Sequence, residues 1–156
     1  MTIRHATPAD APQIAAIWNH AIRHTTMTFN PVEKTADEVA ELCAKQALVW
    51  AEEGRILGFA RYFQFRGGEG YRHTVEHTIM LQDDAHGRGI GKALMAALCD
   101  HARDAGMHSM FAGCSAENPD AVAFHAACGF RTVATLPEVG FKFGRWIDLV
   151  LMQKML

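Results

Sequence analysis

The residues with the plainest chemical use form the stretch His86-Gly87-Arg88-Gly89-Ile90-Gly91-Lys92, between the apolar run Ile79-Met80-Leu81 and a helical pattern over Lys92 to Ala105. Glycine accepts backbone angles that crowd any side chain, so a turn with three glycines aims successive N–H groups inward and lets a ligand approach the main chain. The following helix adds its own unpaired N–H groups and the positive end of its dipole, with Arg88 and Lys92 alongside. This is an anion site suited to phosphate. Two titratable groups stand near it: Glu76, a carboxylate inside an alternating segment just upstream, and His125, about two turns into a second helix. Taken singly, each has a bland alternative. The turn alone is an ordinary glycine turn, Glu76 a solvent-facing residue of an edge strand, and His125 a packing histidine.

Missing residues narrow the anion. A nucleotide-binding P-loop fails because His86 stands at its first glycine and Ala93 at its Ser or Thr. The dinucleotide fingerprint fails because Lys92 occupies its last glycine. His73 and His77 do not make a metal pair, since strand residues four apart are separated by about 13 Å, and no second ligand cluster accompanies them. No metal is expected.

The chain has 156 residues, suited to one domain over 1–156, with 15 basic and 17 acidic side chains. Without a basic run, a nucleic-acid surface is not expected. No apolar run has the length of a membrane span, and Met1-Thr2-Ile3-Arg4-His5 lacks a signal-peptide core, so no membrane partner and a cytoplasmic location are expected. Cys43, Cys99, Cys114 and Cys128 have no paired spacing and read as free thiols.

The elements that must position the chemistry follow from periodicity. Ile3 to Ala6 reads as a strand; Thr7-Pro8-Ala9-Asp10 starts a helix whose apolar face is Ile14, Ile17, Trp18, Ala21 and Ile22. His24 to Pro31 is a loop and Ala36 to Lys45 a second helix. Leu48 to Glu52 and Ile56 to Phe65 are strands about Glu53-Gly54-Arg55, and Arg66 to Gly70 is a flexible crossing. In the strand Thr74 to Leu81, Val75, His77, Ile79 and Leu81 point one way and Thr74, Glu76, Thr78 and Met80 the other. The third helix carries Leu94, Leu98 and Ala102 on one stripe and stops at Gly106; His108 to Cys114 is a strand. Asn118-Pro119-Asp120 opens a last helix. Arg131 to Leu136 and Trp146 to Lys154 are strands around a basic, aromatic loop, Pro137 to Arg145. The order predicts an α/β (α+β) fold, a mixed sheet of about seven strands with about four helices on its two faces.

The glycine turn resembles the pyrophosphate-binding turn of the Gcn5-related N-acetyltransferases, whose pattern is Gln or Arg, two residues, Gly, one residue, Gly or Ala; His86 departs from it at the first position. The element order matches that family throughout. Thr25-Thr26-Met27-Thr28-Phe29, Tyr71 to Thr78, Asn118 with His125 and Gly129-Phe130, and Gly140 to Trp146 further resemble the phosphinothricin and methionine sulfoximine acetyltransferases. The resemblance implies an acetyl-CoA site on Ile79, Met80 and Leu81 for the pantetheine arm, on Gly87, Arg88, Gly89, Ile90, Gly91 and Lys92 for the pyrophosphate, and on Asn118. It implies a substrate site on Arg66, Gly67 and Gly68 and on Glu76, His77 and Thr78. Ala121 and Ala126 replace the Ser and Glu usual on the last helix.

Amide formation needs a base for the amine, donors for the developing oxyanion and a proton for the departing thiolate. Glu76 is the expected base, through water or with a raised pKa. His125, where many enzymes of this fold have a tyrosine acid, is the expected acid or proton relay, and N–H groups near Ile79 to Leu81 the oxyanion donors. The resemblance implies as acceptor the α-amine of methionine sulfoximine, methionine sulfone or phosphinothricin. Arg66, Arg72, Lys142 and Arg145 are the cations available for its carboxylate, with Phe29, Phe65 and Trp146 as pocket walls. Glu69 beside Arg66 favours the sulfoximine and sulfone over the phosphinic acid. The resemblance also implies pairing, so a homodimer using Gly140 to Trp146 is expected. The rival readings are a broad-specificity amine acetyltransferase, a non-catalytic acetyl-CoA sensor and a small nucleotide-binding regulator.

Overall fold

The computed structural model describes residues 2–156. These fold into four α-helices and one seven-stranded sheet in the order β1-β2-β3-β4-β5-β7-β6. The strands are β1 (Thr2–His5), β2 (Ala47–Glu52), β3 (Arg55–Gln64), β4 (Thr74–Leu81), β5 (Ser109–Ser115), β6 (Arg131–Lys142) and β7 (Arg145–Met155). The helices are α1 (Ala11–His24), α2 (Ala36–Leu42), α3 (Ile90–Asp104) and α4 (Pro119–Ala127). All neighbours pair antiparallel except β4 and β5, which are parallel.

Both faces of the sheet are covered. Ile14, Ile17, Trp18, Ala21 and Ile22 of α1 are buried with Phe59 and Met80 in one apolar layer, and Leu94, Leu98 and Ala102 of α3 with Val75 and Met110 in the other. The alternation of β4 therefore sorts its side chains between two cores. Glu76 lies on a central strand, not an edge strand, which corrects the bland expectation for it.

Two local expectations are revised. Helix α2 ends at Leu42 rather than Lys45, because the chain must turn sharply into β2, with Gln46 at φ 58° and its carbonyl accepting from Tyr62 N–H at 3.2 Å. The expected loop Pro137 to Arg145 is mostly strand. β6 and β7 form one long hairpin closed at Phe143-Gly144, whose φ values of 53° and 75° are those of a type I′ turn. Pro137 is tolerated because it falls in a bulge, between Leu136 and Gly140, on an edge strand. Gly140 is required inside the strand because a Cβ there would lie 2.5 Å from the Phe29 ring.

Candidate active site

β4 and β5 pair only from Thr74 to Glu76 and Ser109 to Phe111, then diverge. Backbone parity fixes what faces the gap. Phe65 N–H donates to Thr74 O at 3.0 Å and Gln82 N–H to Leu57 O at 2.8 Å, so in this register the even-numbered residues of β4 direct their backbone groups to β3. His77, Ile79 and Leu81 turn theirs to the gap. Met80, expected to offer backbone as Ile79 and Leu81 do, is committed to β3 and contributes its side chain to the groove wall instead.

Two adjoining cavities, of about 310 and 340 Å³, make one groove along this gap and share Met27, Ile79, Met80, Asn118, Ala121 and His125 as walls. The second is lined also by Leu81, Gly91 and Phe124, with His86 and Asp120, and runs to the glycine turn. There Gly87 and Gly89 have φ of 77° and 80°, and Gly89 precedes the first turn of α3, which no side chain caps. A Cβ on either would meet nothing within 4 Å, so these glycines serve conformation and leave the N–H groups open. Gly91 serves packing, since a Cβ there would lie 3.2 Å from Phe124. Free strand amides, an apolar wall and an uncapped helix start fit the amide arm and pyrophosphate of acetyl-CoA. Lys92 is exposed beside this start, whereas Arg88 reaches back to Glu52 at 2.9 and 3.1 Å. Asn118 caps α4, its Oδ1 accepting from Ala121 N–H at 3.1 Å, and borders both cavities.

The first cavity holds Glu76, roofed by Met27, Thr28 and Phe29 and walled by Trp18, Thr78, Gly113, Ser115 and Leu149. Burial pushes the Glu76 carboxyl above its ordinary value, with no neighbouring cation to oppose it. Gly113 keeps space before it: a Cβ would stand 3.7 Å from Glu76 Oε2.

His77 and His125 stack across the gap, ring centres 4.9 Å apart and Nε2 atoms at 3.0 Å. Their tautomers follow. His125 Nδ1 lies 2.7 Å from Ala121 O, a pure acceptor, so it carries the hydrogen; His125 Nε2 then accepts from His77 Nε2–H. His77 Nδ1 is left a buried acceptor without partner. Burial, helped by His125, pushes His77 down to about 3; burial also lowers His125, against the pull of Ala121 O. Both nitrogens of His125 are thus engaged, which leaves no free position for a proton directed at a thiolate.

The four expected cations do not converge on the cavity. Lys142 is buried at the end of β6, donating to Thr25 O and Thr28 O at 2.7 Å each, and so clamps the cavity roof. Arg145 forks onto Glu117 at 2.8 and 2.6 Å. Arg66 is exposed over the Tyr71 ring, next to the exposed Gly67 and Gly68, and Arg72 pairs with Glu69 at 3.1 Å. Of the expected aromatic walls only Phe29 lines the cavity; Phe65 stacks on Phe111, and Trp146 packs on Phe141 in solvent. Trp18, Gly113 and Leu149 were not foreseen. Trp18 reads as one more apolar residue of α1, and only the sheet order brings Gly113 of β5 and Leu149 of β7 to the Glu76 cavity. Among the described residues no group of three or more His, Cys, Asp or Glu is placed to hold a metal ion.

Residues 15–130 match the model of the acetyltransferase (GNAT) family. The chain belongs to that family. As a member it is an acyltransferase that uses acetyl-CoA. It is 40% identical over 159 residues to the L-amino acid N-acyltransferase MnaT of Escherichia coli K12, covering 98% of this chain and 92% of that protein. It is 38% identical over 161 residues to the L-methionine sulfoximine/L-methionine sulfone acetyltransferase of Salmonella typhimurium, covering 98% and 93%. The crystal structure of a phosphinothricin acetyltransferase from Sinorhizobium meliloti in complex with acetyl-CoA superposes with a TM-score of 0.93 at 31% identity, covering 99% of this chain and 88% of that one. No helix among the described residues is long and apolar enough to cross a membrane.

Proposed function

We propose that this acetyltransferase transfers the acetyl group of acetyl-CoA to the α-amine of a small amino-acid analogue such as methionine sulfoximine, methionine sulfone or phosphinothricin. The observation that carries the reading is the half-buried carboxylate of Glu76 at the mouth of a gap whose free strand amides belong to Ile79 and Leu81. The names of its full-length relatives point to the same acceptors.

Acetyl-CoA supplies an activated thioester carbonyl. Gly87 to Lys92 hold its pyrophosphate through N–H groups of the α3 start, with Lys92 as the nearest free cation. Ile79 and Leu81 align the arm and offer N–H groups where negative charge develops on the carbonyl oxygen. Glu76 accepts the proton of the attacking amine, directly or through water, and its raised pKa brings it closer to that task than an ordinary glutamate; the C–S bond then breaks and the departing CoA thiolate takes its proton from water. His125 acts by position: it fixes the first turn of α4 through Ala121 and the β4 side of the gap through His77. Gly113 and Ser115 leave room for the acceptor, and the roof Met27 to Phe29 limits its length.

The protein works as a cytoplasmic homodimer in this reading. Val139, Phe141, Phe143 and Trp146 are each more than half exposed on one hairpin, an apolar surface that a second copy would cover. The acceptor is tested by comparing kcat/KM for methionine sulfone, methionine sulfoximine, phosphinothricin, a polyamine, an aminoglycoside and a peptide N-terminus in a thiol-release assay. The amino-acid analogues are expected to lead; a win for any of the last three sinks the acceptor assignment.

A further inference from the structure

The expected carboxylate-binding cations are all engaged or outside the cavity, yet another, which does not itself line the cavity, stands against its Trp18 wall unused. Arg61 of β3 pairs in register with Thr78 and so projects from the same face of the sheet as Thr78 and Glu76. Its guanidinium carbon lies 4.7 Å from the centre of the Phe63 ring and 5.9 Å from that of Trp18, the indole that walls the acceptor cavity. The side chain is partly buried, and its Nε is buried with no hydrogen-bond partner. Among the described residues no carboxylate lies within ion-pair distance of it. A guanidinium keeps its charge at any working pH, so it cannot relieve this burial by losing a proton, and the arrangement is costly until an anion completes it. Lys34 holds its ammonium 4.8 Å from the same indole, also without a carboxylate partner among the described residues. Two unneutralised cations therefore flank Trp18, while Glu76 is the one acidic residue lining the cavity among the described residues.

We propose that Arg61, assisted by Lys34, binds the acceptor's carboxylate at the Trp18 side of the cavity and thereby turns the amine toward Glu76. The inference rests on the amino-acid acceptor proposed above. A carboxylate accepts two parallel N–H bonds from a guanidinium, which fixes orientation as well as position, and an aromatic wall excludes the water that would screen the pair. Amines without a carboxylate are then disfavoured because they leave the guanidinium desolvated and unpaired.

The test compares L-methionine sulfone with its carboxamide, whose head and amine are retained and whose carboxylate is replaced. Taking the acid-to-amide ratio of kcat/KM within each enzyme cancels the different basicity of the two amines. Arg61→Met is expected to lower that ratio by about 10- to 100-fold, chiefly through KM for the acid. Arg61→Lys should retain part of the preference. The KM for acetyl-CoA should not move, and the melting temperature of Arg61→Met should hold or rise, since the variant removes a partly buried cation that has no ion-pair partner. An unchanged ratio in an active variant, or an equal loss on both acceptors, overturns the assignment of Arg61. Failure of the unmodified enzyme to acetylate either compound overturns the acceptor reading, and this inference with it.

Discussion

The stacked pair His77 and His125 makes the stability of this fold depend on pH in a calculable way. An unfolded histidine titrates near 6.5, whereas folded His77 is held neutral down to about 3 by burial and by its neighbour. Between those values the unfolded chain binds a proton that the folded chain refuses. The stability His77 contributes is therefore complete above about pH 6.5 and is lost as the pH falls toward the folded pKa, by about 1.4 kcal/mol per pH unit. From pH 7.5 to pH 5.0 the loss from His77 integrates to about 2 kcal/mol, a large part of the roughly 5–15 kcal/mol that holds a domain of this kind together. His125, lowered in the same direction, adds to it. The perturbation that isolates the effect is His77→Gln, which cannot titrate but retains an N–H able to reach His125 Nε2. Urea unfolding of both proteins, followed by tryptophan fluorescence at one protein concentration between pH 7.5 and 5.0, gives the two curves. The unmodified protein should lose about 2 kcal/mol more than the variant over that range. Stopping at pH 5.0 keeps Asp10, held down to about 2 chiefly by its hydrogen bond to Arg4, from contributing. Parallel curves would refute the reasoning, because they would mean that His77 is not kept neutral by the fold.

Glu76→Gln should lower turnover by about 10²-fold or more with the KM for acetyl-CoA unchanged, and steady-state kinetics at unchanged rate would remove Glu76 from the mechanism. In the unmodified enzyme the acidic limb of the kcat/KM profile should fall above the usual glutamate range, since the base works only above its raised pKa. Gly89→Val forces a β-branched residue to a φ of 80° at the start of α3, so the KM for acetyl-CoA should rise far more than that for the amine; equal effects on both would indicate a folding defect instead. Light scattering at micromolar concentration should give twice the chain mass of 17.2 kDa, and a monomeric mass would count against the exposed Phe141, Phe143 and Trp146 as a dimer surface.

The elements were legible because their signals are local. Apolar spacing marked α1 and α3, Asn118-Pro119-Asp120 marked the start of α4, and strict alternation marked β4 from Thr74 to Leu81 to the residue. The glycine turn was legible for the same reason, since a run of left-handed positions before a helix shows in the residue types themselves. The β6–β7 hairpin was misread where residues answer to distant partners: Gly140 is a glycine because of Phe29, more than a hundred positions away. Lys142 misled similarly. Its charge and aromatic neighbours suggested an anion site, but two backbone carbonyls of the roof loop already hold it, and no pattern near Lys142 announces them.

The parity of β4 explains why the site residues fall on two sides of one mechanism. A strand paired along its whole length on one edge and for only three residues on the other directs every second residue's backbone into a gap. Those residues, His77, Ile79 and Leu81, send their side chains to the α3 layer, where apolar packing keeps the gap open and rigid. The intervening residues, Glu76, Thr78 and Met80, send side chains to the α1 layer, beneath Trp18 and the roof loop. In the proposed mechanism one strand thus presents backbone donors to the acyl donor and a carboxylate to the amine, with the two offset by a residue. A single-residue slip of β4 against β3 would exchange the two sets, burying Glu76 among the aliphatic residues of α3 and exposing the His77 ring to the acceptor. That slip is resisted at Gly58, where Leu81 packs so closely that a Cβ would lie 2.4 Å from its Cδ2, and at Val75, fixed between Gln64 and Met110. The register that stabilises the core is therefore the one that assembles the site.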